Sequence, residues 1–177
     1  MRRALALCFY ACRRRKTAAH FCATCFRPKG RTPVLILRKA TISDAKALFD
    51  WRNDPATRAA SISTGEIEYE SHVAWLTATL NNTARSLLVA EEDGIPVGTV
   101  RIDREPNGTA ELSWTVAPDA RGRGLAKRMV QMAAEETATT HTVRAQVKVD
   151  NIASAKVAVA AGMVLFKRDG DVLYFSR

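Results

Sequence analysis

Val116-Ala117-Pro118-Asp119-Ala120-Arg121-Gly122-Arg123-Gly124-Leu125-Ala126 is the stretch on which the reading of this chain turns. Pro118 stops an alternating run that reads as a strand, Thr109 to Val116. From Leu125 the apolar residues Leu125, Met129, Met132 and Ala133 recur at helical spacing. A strand, a Gly-rich turn and a helix start therefore follow one another. The first backbone N–H groups of such a helix have no intrahelical partner, and with the helix dipole they suit a phosphate or diphosphate. Gly122 and Gly124 let the backbone approach a ligand, and Arg121 and Arg123 add positive charge. No G-x-x-x-x-G-K-[ST] loop is present, and Lys127 stands where a dinucleotide fingerprint needs its third glycine.

Upstream, Val34 to Arg38 reads as a strand, and Thr41-Ile42-Ser43-Asp44 supplies capping residues for a helix that Pro55 interrupts. Glu68 to Leu80 has helical spacing and ends at Asn81-Asn82. Strands follow over Ser86–Glu91, Pro96–Asp103 and Thr109–Val116, with turns at Asp93-Gly94 and Asn107-Gly108. The last places Ala110, Leu112, Trp114 and Val116 on one face and Glu111, Ser113 and Thr115 on the other. Downstream come a strand over Thr142–Val149, an Ala-rich helix closed by Gly162, and two strands around Asp169-Gly170. This order predicts an α/β domain over 34–177: a mixed, mostly antiparallel central sheet with helices on both faces.

The chain carries 27 Lys and Arg against 18 Asp and Glu, but residues 1–43 hold eleven of the basic residues and none of the acidic ones. The rest is slightly acidic, so the folded domain is not expected to bind nucleic acid. Cys8, Cys12, Cys22 and Cys25 also lie in this segment. Zinc ligation with His20, a signal peptide and a transit peptide are competing readings of it. Residues 1–33 are expected to be a poorly ordered basic extension without metal. A domain free of cysteine suits a reducing cytoplasm, and no run is long enough for a membrane span. The sequence leaves room for a homodimer.

Arg121-x-x-Gly124-x-Ala126 after Val116-x-Pro118 resembles the GNAT N-acetyltransferases, whose signature is Gln/Arg-x-x-Gly-x-Gly/Ala in this context. Asn151-Ile152-Ala153-Ser154, then Gly162-Met163, is similar to a second element of that family. The resemblance implies acetyl-CoA as co-substrate, its diphosphate on Arg121, Gly122, Arg123, Gly124, Leu125 and Ala126, and its arm near Trp114, Val116 and Asn151. It also implies a base at Glu111, with His72 as second candidate, to take the proton of an attacking amine. Ala158 departs from the family, which often carries a thiolate-protonating Tyr there.

Trp51-Arg52-Asn53-Asp54-Pro55, Arg58, Ser61, His72-x-x-Trp75 and Arg101 resemble the bacterial acetyltransferases of UDP-linked 4-amino sugars, of the pseudaminic-acid-pathway type. The resemblance implies a nucleotide-linked amino sugar as acceptor, bound by Trp51, Arg52, Asn53, Arg58, Trp75 and Arg101. A protein N-terminal or ribosomal-protein acetyltransferase is the alternative, and a non-catalytic module that senses CoA or binds nucleic acid through the basic tail is another.

Overall fold

The computed structural model describes residues 33–177. The expectations for the N-terminal segment fall on residues 1–32, outside the described residues. Val34–Arg177 forms one compact unit.

Among the described residues, seven strands make one sheet, in the order β1-β2-β3-β4-β5-β7-β6. They are β1 (Leu35–Lys39), β2 (Arg85–Glu92), β3 (Ile95–Arg104), β4 (Thr109–Val116), β5 (Thr142–Lys148), β6 (Val164–Asp169) and β7 (Val172–Ser176). The helices are α1 (Ala45–Asn53), α2 (Pro55–Ala60), α3 (Tyr69–Leu80), α4 (Leu125–Thr137) and α5 (Ile152–Ala160). Each strand and helix expected from the sequence is present, with ends moved by up to three residues. Every strand pair is antiparallel except β4–β5, which the α4 crossover joins in parallel.

Alternation sorts the sheet into two faces. On one, Val100, Ile102, Ala110, Leu112, Val143, Ala145 and Val147 pack with Leu125, Met129, Val130, Ala133 and Ala134 of α4. Burial of each large aliphatic side chain contributes about 1.5–3 kcal/mol. Gly98 lets α4 and β4 come this close: a Cβ there would lie 2.6 Å from the Thr115 carbonyl oxygen and 3.1 Å from Met129 Sδ. On the other face, Leu87 and Val89 meet Leu48 of α1 and Leu76 of α3 in a smaller cluster. Trp51 packs against both clusters.

α1 is aimed by charge as well as by packing. Arg38 on β1 donates to both Asp44 oxygens, at 2.7 and 2.8 Å, and to Glu91 on β2 at 2.6 Å. Asp44 in turn accepts the Thr41 N–H at 2.8 Å, where the chain turns into α1. The Arg38 guanidinium, with the Thr41 donors adding to it, holds the Asp44 carboxyl down at about 2. A carboxyl whose folded value is depressed contributes stability above its unfolded value and loses it as pH falls through the folded one. Asp44→Asn is therefore expected to lower the unfolding free energy by about 2 kcal/mol at neutral pH. Denaturant titrations should show the difference from wild type shrinking as pH falls from 3.8 to about 2.

Candidate active site

The ladder between β4 and β5 covers three pairs, Thr109↔Thr142, Ala110↔Val143 and Glu111↔Arg144. Beyond Glu111 the two strands part, while β4 stays paired with β3 to Val116 and β5 stays paired with β7 to Lys148. Backbone groups of an antiparallel strand alternate in direction. The Ala117 N–H donates to Val97 on the β3 side, and Gly108 accepts from Thr142 on the β5 side. Odd-numbered residues of β4 thus bond β3. Trp114 and Val116 turn their N–H groups into the fork, where β5 has no group opposite them.

A cavity of about 550 Å³ opens at the fork on the α1–α3 side of the sheet. Glu111, Ser113 and Thr115 from β4, Thr99 and Arg101 from β3, and Gln146 and Lys148 from β5 form its floor. Trp114 and Val147 belong to the α4 face yet also line it, because the fork opens the sheet there. Trp51, Arg52, Ser71, His72 and Trp75 form its walls, and Asn151 and Ser154 close one end.

Glu111 sits where the backbone ladder stops. Gln146 Nε2 donates to Glu111 Oε2 at 2.7 Å, so a side-chain bridge joins the strands just past their last backbone pair. His72 is buried, with its Nε2 3.1 Å from the Ala45 carbonyl oxygen and its ring stacked on Trp75. A carbonyl accepts, so Nε2 carries a proton. Burial pushes the His72 value down, with the Ala45 bond opposing it.

The loop before α4 stands at the far end of the fork. Gly122 and Gly124 have φ of +76° and +74°, a region that favours glycine, and no atom lies within 4 Å of a Cβ built on either. Gly124 is the residue before Leu125, so the loop leads its open side onto the first turn of the 13-residue α4. Arg121 donates to Asp54 at 2.5 Å and to Thr57 at 2.7 Å, reaching the start of α2. Its guanidinium holds Asp54 below the ordinary carboxylate range. Arg123 pairs with the buried Glu92, which Arg128 approaches at 3.8 Å.

The structure thus gathers Trp51, Arg52, His72, Trp75, Arg101, Glu111, Trp114 and Asn151 on one cavity. Asn53 and Arg58 are elsewhere. Asn53 bonds the backbone of Ile67 twice, at 2.8 and 3.0 Å, stapling the segment between α2 and α3. Arg58 lies 3.6 Å from Glu66. Arg101 donates to Asp103 at 2.8 Å. Ala158 is fully buried in the main core, so this position offers no side chain to a leaving group. Gln146 and Lys148 were missed, although their alternation along β5 carries the same signal that marks Glu111 on β4. Among the described residues no group of acidic, His or Cys side chains could hold a metal, and no helix is long and apolar enough to cross a membrane.

A family model described as acetyltransferase (GNAT) domain matches residues 34–164. Among solved structures, a spermidine N-acetyltransferase from Vibrio cholerae in complex with CoA and spermine is 18% identical, with a TM-score of 0.72 over 81% of this chain and 94% of that one. A protein of Salmonella typhimurium solved with its cofactor acetyl-CoA is 20% identical, with a TM-score of 0.67 over 81% and 92%. A ribosomal-protein-alanine N-acetyltransferase from Brucella melitensis is 24% identical, with a TM-score of 0.68 over 80% and 98%. At these identities the likeness is one of fold. No curated protein matches the sequence.

The burial of His72 has a testable consequence. A histidine whose folded value is lowered stabilises the protein above its unfolded value of about 6.5 and loses that contribution as pH falls below it. Stability measured from pH 7.5 to pH 5 is expected to decline in wild type, and His72→Gln should flatten that decline.

Proposed function

The chain belongs to the GNAT acetyltransferase family, and on that premise we propose that it moves the acetyl group of acetyl-CoA onto the primary amine of a nucleotide-linked amino sugar. The observation that carries this reading is the fork. Two N–H groups, at Trp114 and Val116, face the gap where β4 and β5 part, and Trp114 and the Glu111 carboxylate line one cavity large enough for an acceptor.

The loop fits a diphosphate. Its glycines leave room for one, the amides of Gly124, Leu125 and Ala126 begin α4, and Arg121 and Arg123 are close by to exchange their carboxylate partners for phosphate oxygens. Trp114 and Val116 are the backbone donors for the cofactor's arm, and the Asn151 side chain adds an amide. Bound acetyl-CoA supplies a thioester carbonyl, whose carbon the amine attacks. The new C–N bond forms, the C–S bond breaks, and CoA leaves as thiolate.

Glu111 is assigned the amine proton. An ammonium must lose a proton before its nitrogen can attack, and a carboxylate fixed at the fork is placed to take it, directly or through water. His72 ranks second because its Nε2–H is already bonded to Ala45 and its ring is enclosed. A fork N–H stabilises charge on the carbonyl oxygen, and with Ala158 in the core the thiolate takes its proton from solvent. Trp51 and Trp75 offer faces for a sugar or base, and Arg52 and Arg101 favour a phosphorylated acceptor.

Glu111→Gln is expected to lower kcat/KM by about 10²–10⁴-fold while leaving CoA affinity unchanged. Full activity in this variant would remove Glu111 from the mechanism. Gly124→Trp should abolish the rise in Tm that CoA gives wild type, and an undiminished rise would refute the loop assignment. Mass analysis of products from a UDP-linked 4-amino sugar, spermidine and an alanine-terminated peptide decides the acceptor. Acetylation of the peptide alone would replace the sugar reading with a protein acetyltransferase.

A further inference from the structure

The segment Ala59–Ser63, the end of α2 and the bend after it, is gripped from two sides of the cavity. Lys148 Nζ, at the end of β5, donates to the Ala59 carbonyl at 3.1 Å, and Asn151 Nδ2, at the cap of α5, donates to the Ala60 carbonyl at 3.0 Å. Arg52 Nη2 donates to the Ser63 carbonyl at 3.0 Å, from α1. Ala60, Ser61, Ile62 and Ser63 line the cavity, so this strap is part of its wall.

Two of the three anchors carry full charge. Neither Arg52 nor Lys148 is within ion-pair distance of a carboxylate among the described residues, whereas Arg101 has Asp103 and Arg121 has Asp54. Arg52 Nη1 is buried and has no hydrogen-bond partner. Among the described residues, Glu111 is the one acidic residue lining the cavity, against Arg52, Arg101 and Lys148. A buried guanidinium N–H without an acceptor is costly, and a neutral carbonyl is a weaker partner for a cation than an anion is.

We propose that Arg52 and Lys148 form an anion subsite beneath the Ala59–Ser63 strap, which holds a phosphate or carboxylate carried by the acceptor while its amine faces Glu111. This rests on the acetyl-transfer reading and adds a selection rule to it. An acceptor must bring negative charge, and a polycation such as the spermine bound to the Vibrio cholerae enzyme is disfavoured here. The strap's carbonyls are the partners that the incoming anion replaces, so binding loosens the strap from both anchors and re-forms it over the ligand. Lys148 is the new specificity-determining residue in this scheme.

The test is calorimetric titration of the full-length protein, first with CoA and then, at saturating CoA, with inorganic pyrophosphate and separately with succinate. CoA occupies the diphosphate loop, so the second titration reads the acceptor side. Wild type is expected to bind one or both anions, and the stronger of the two identifies the group. Lys148→Met and Arg52→Met should each weaken that binding at least tenfold. Lys148→Arg should retain it, and Lys156→Met, the same charge change on the exposed side of α5, should leave it unaltered. CoA binding by each variant shows that it has folded. A wild-type protein that binds CoA but neither anion, or equal anion affinity in Lys148→Met, overturns the subsite alone. A wild-type protein that does not bind CoA overturns the acetyl-transfer reading beneath it.

Discussion

Two parallel strands that begin as neighbours and then separate set the terms for everything else in this domain. β4 and β5 share three residue pairs and part after Glu111↔Arg144. In an intact sheet the amides of Trp114 and Val116 would be consumed by a ladder. Here each strand keeps its outer neighbour, β3 or β7, so the opening is rigid on both sides. Unpaired backbone donors are tolerable only where water or a ligand reaches them. The fork meets that condition because it opens into the cavity, and the turn before α4 lies at its far end.

The parts that border the fork are tied to one another by side chains rather than by the sheet. Gln146 bridges to Glu111 at the point of separation. Arg121 links the Gly-rich turn to the start of α2, while Lys148 and Asn151 hold its end. The six-residue α2 has no buried residue of its own, so these contacts, with the Asp54 cap on Thr57, are what place it. A helix held by polar contacts is easier to shift than one held by packing, since each contact can be exchanged for one with a ligand. The Gly-rich turn and the end of β5 with the segment after it therefore meet on the same short helix.

Much of this was legible beforehand, and the reasons are local. Alternation along Thr109–Val116 sorted Glu111 from Trp114 because a strand's side chains have a period of two. The turn at Arg121–Gly124 was legible because positive φ and close backbone approach call for glycine. His72 and Trp75 were legible as a pair on a helix, three residues apart, although nothing local distinguished a base from a wall. Asn53 and Arg58 belonged to the same quoted motif as Trp51 and Arg52 but face different surroundings, Asn53 stapled to Ile67 and Arg58 near Glu66. A linear motif does not say which of its members share a surface.

Lys148 marks the limit most clearly. Its charge and its place in an alternating strand are in the sequence. That it lines the same cavity as Arg52, and that both bond one strap, depends on β5 lying beside β4, and on α1 and α2 folding back over the same face. Residue type, periodicity and turn chemistry act over a few residues, so the sequence alone determined the elements, the parallel crossover and the glycine-rich turn before α4. The parting of the strands, the exchange partners of the arginines and the excess of cations in the cavity arise between residues about 30 to 100 positions apart. Only the closed chain, with its loop entropy already lost and its core packed, brings these together.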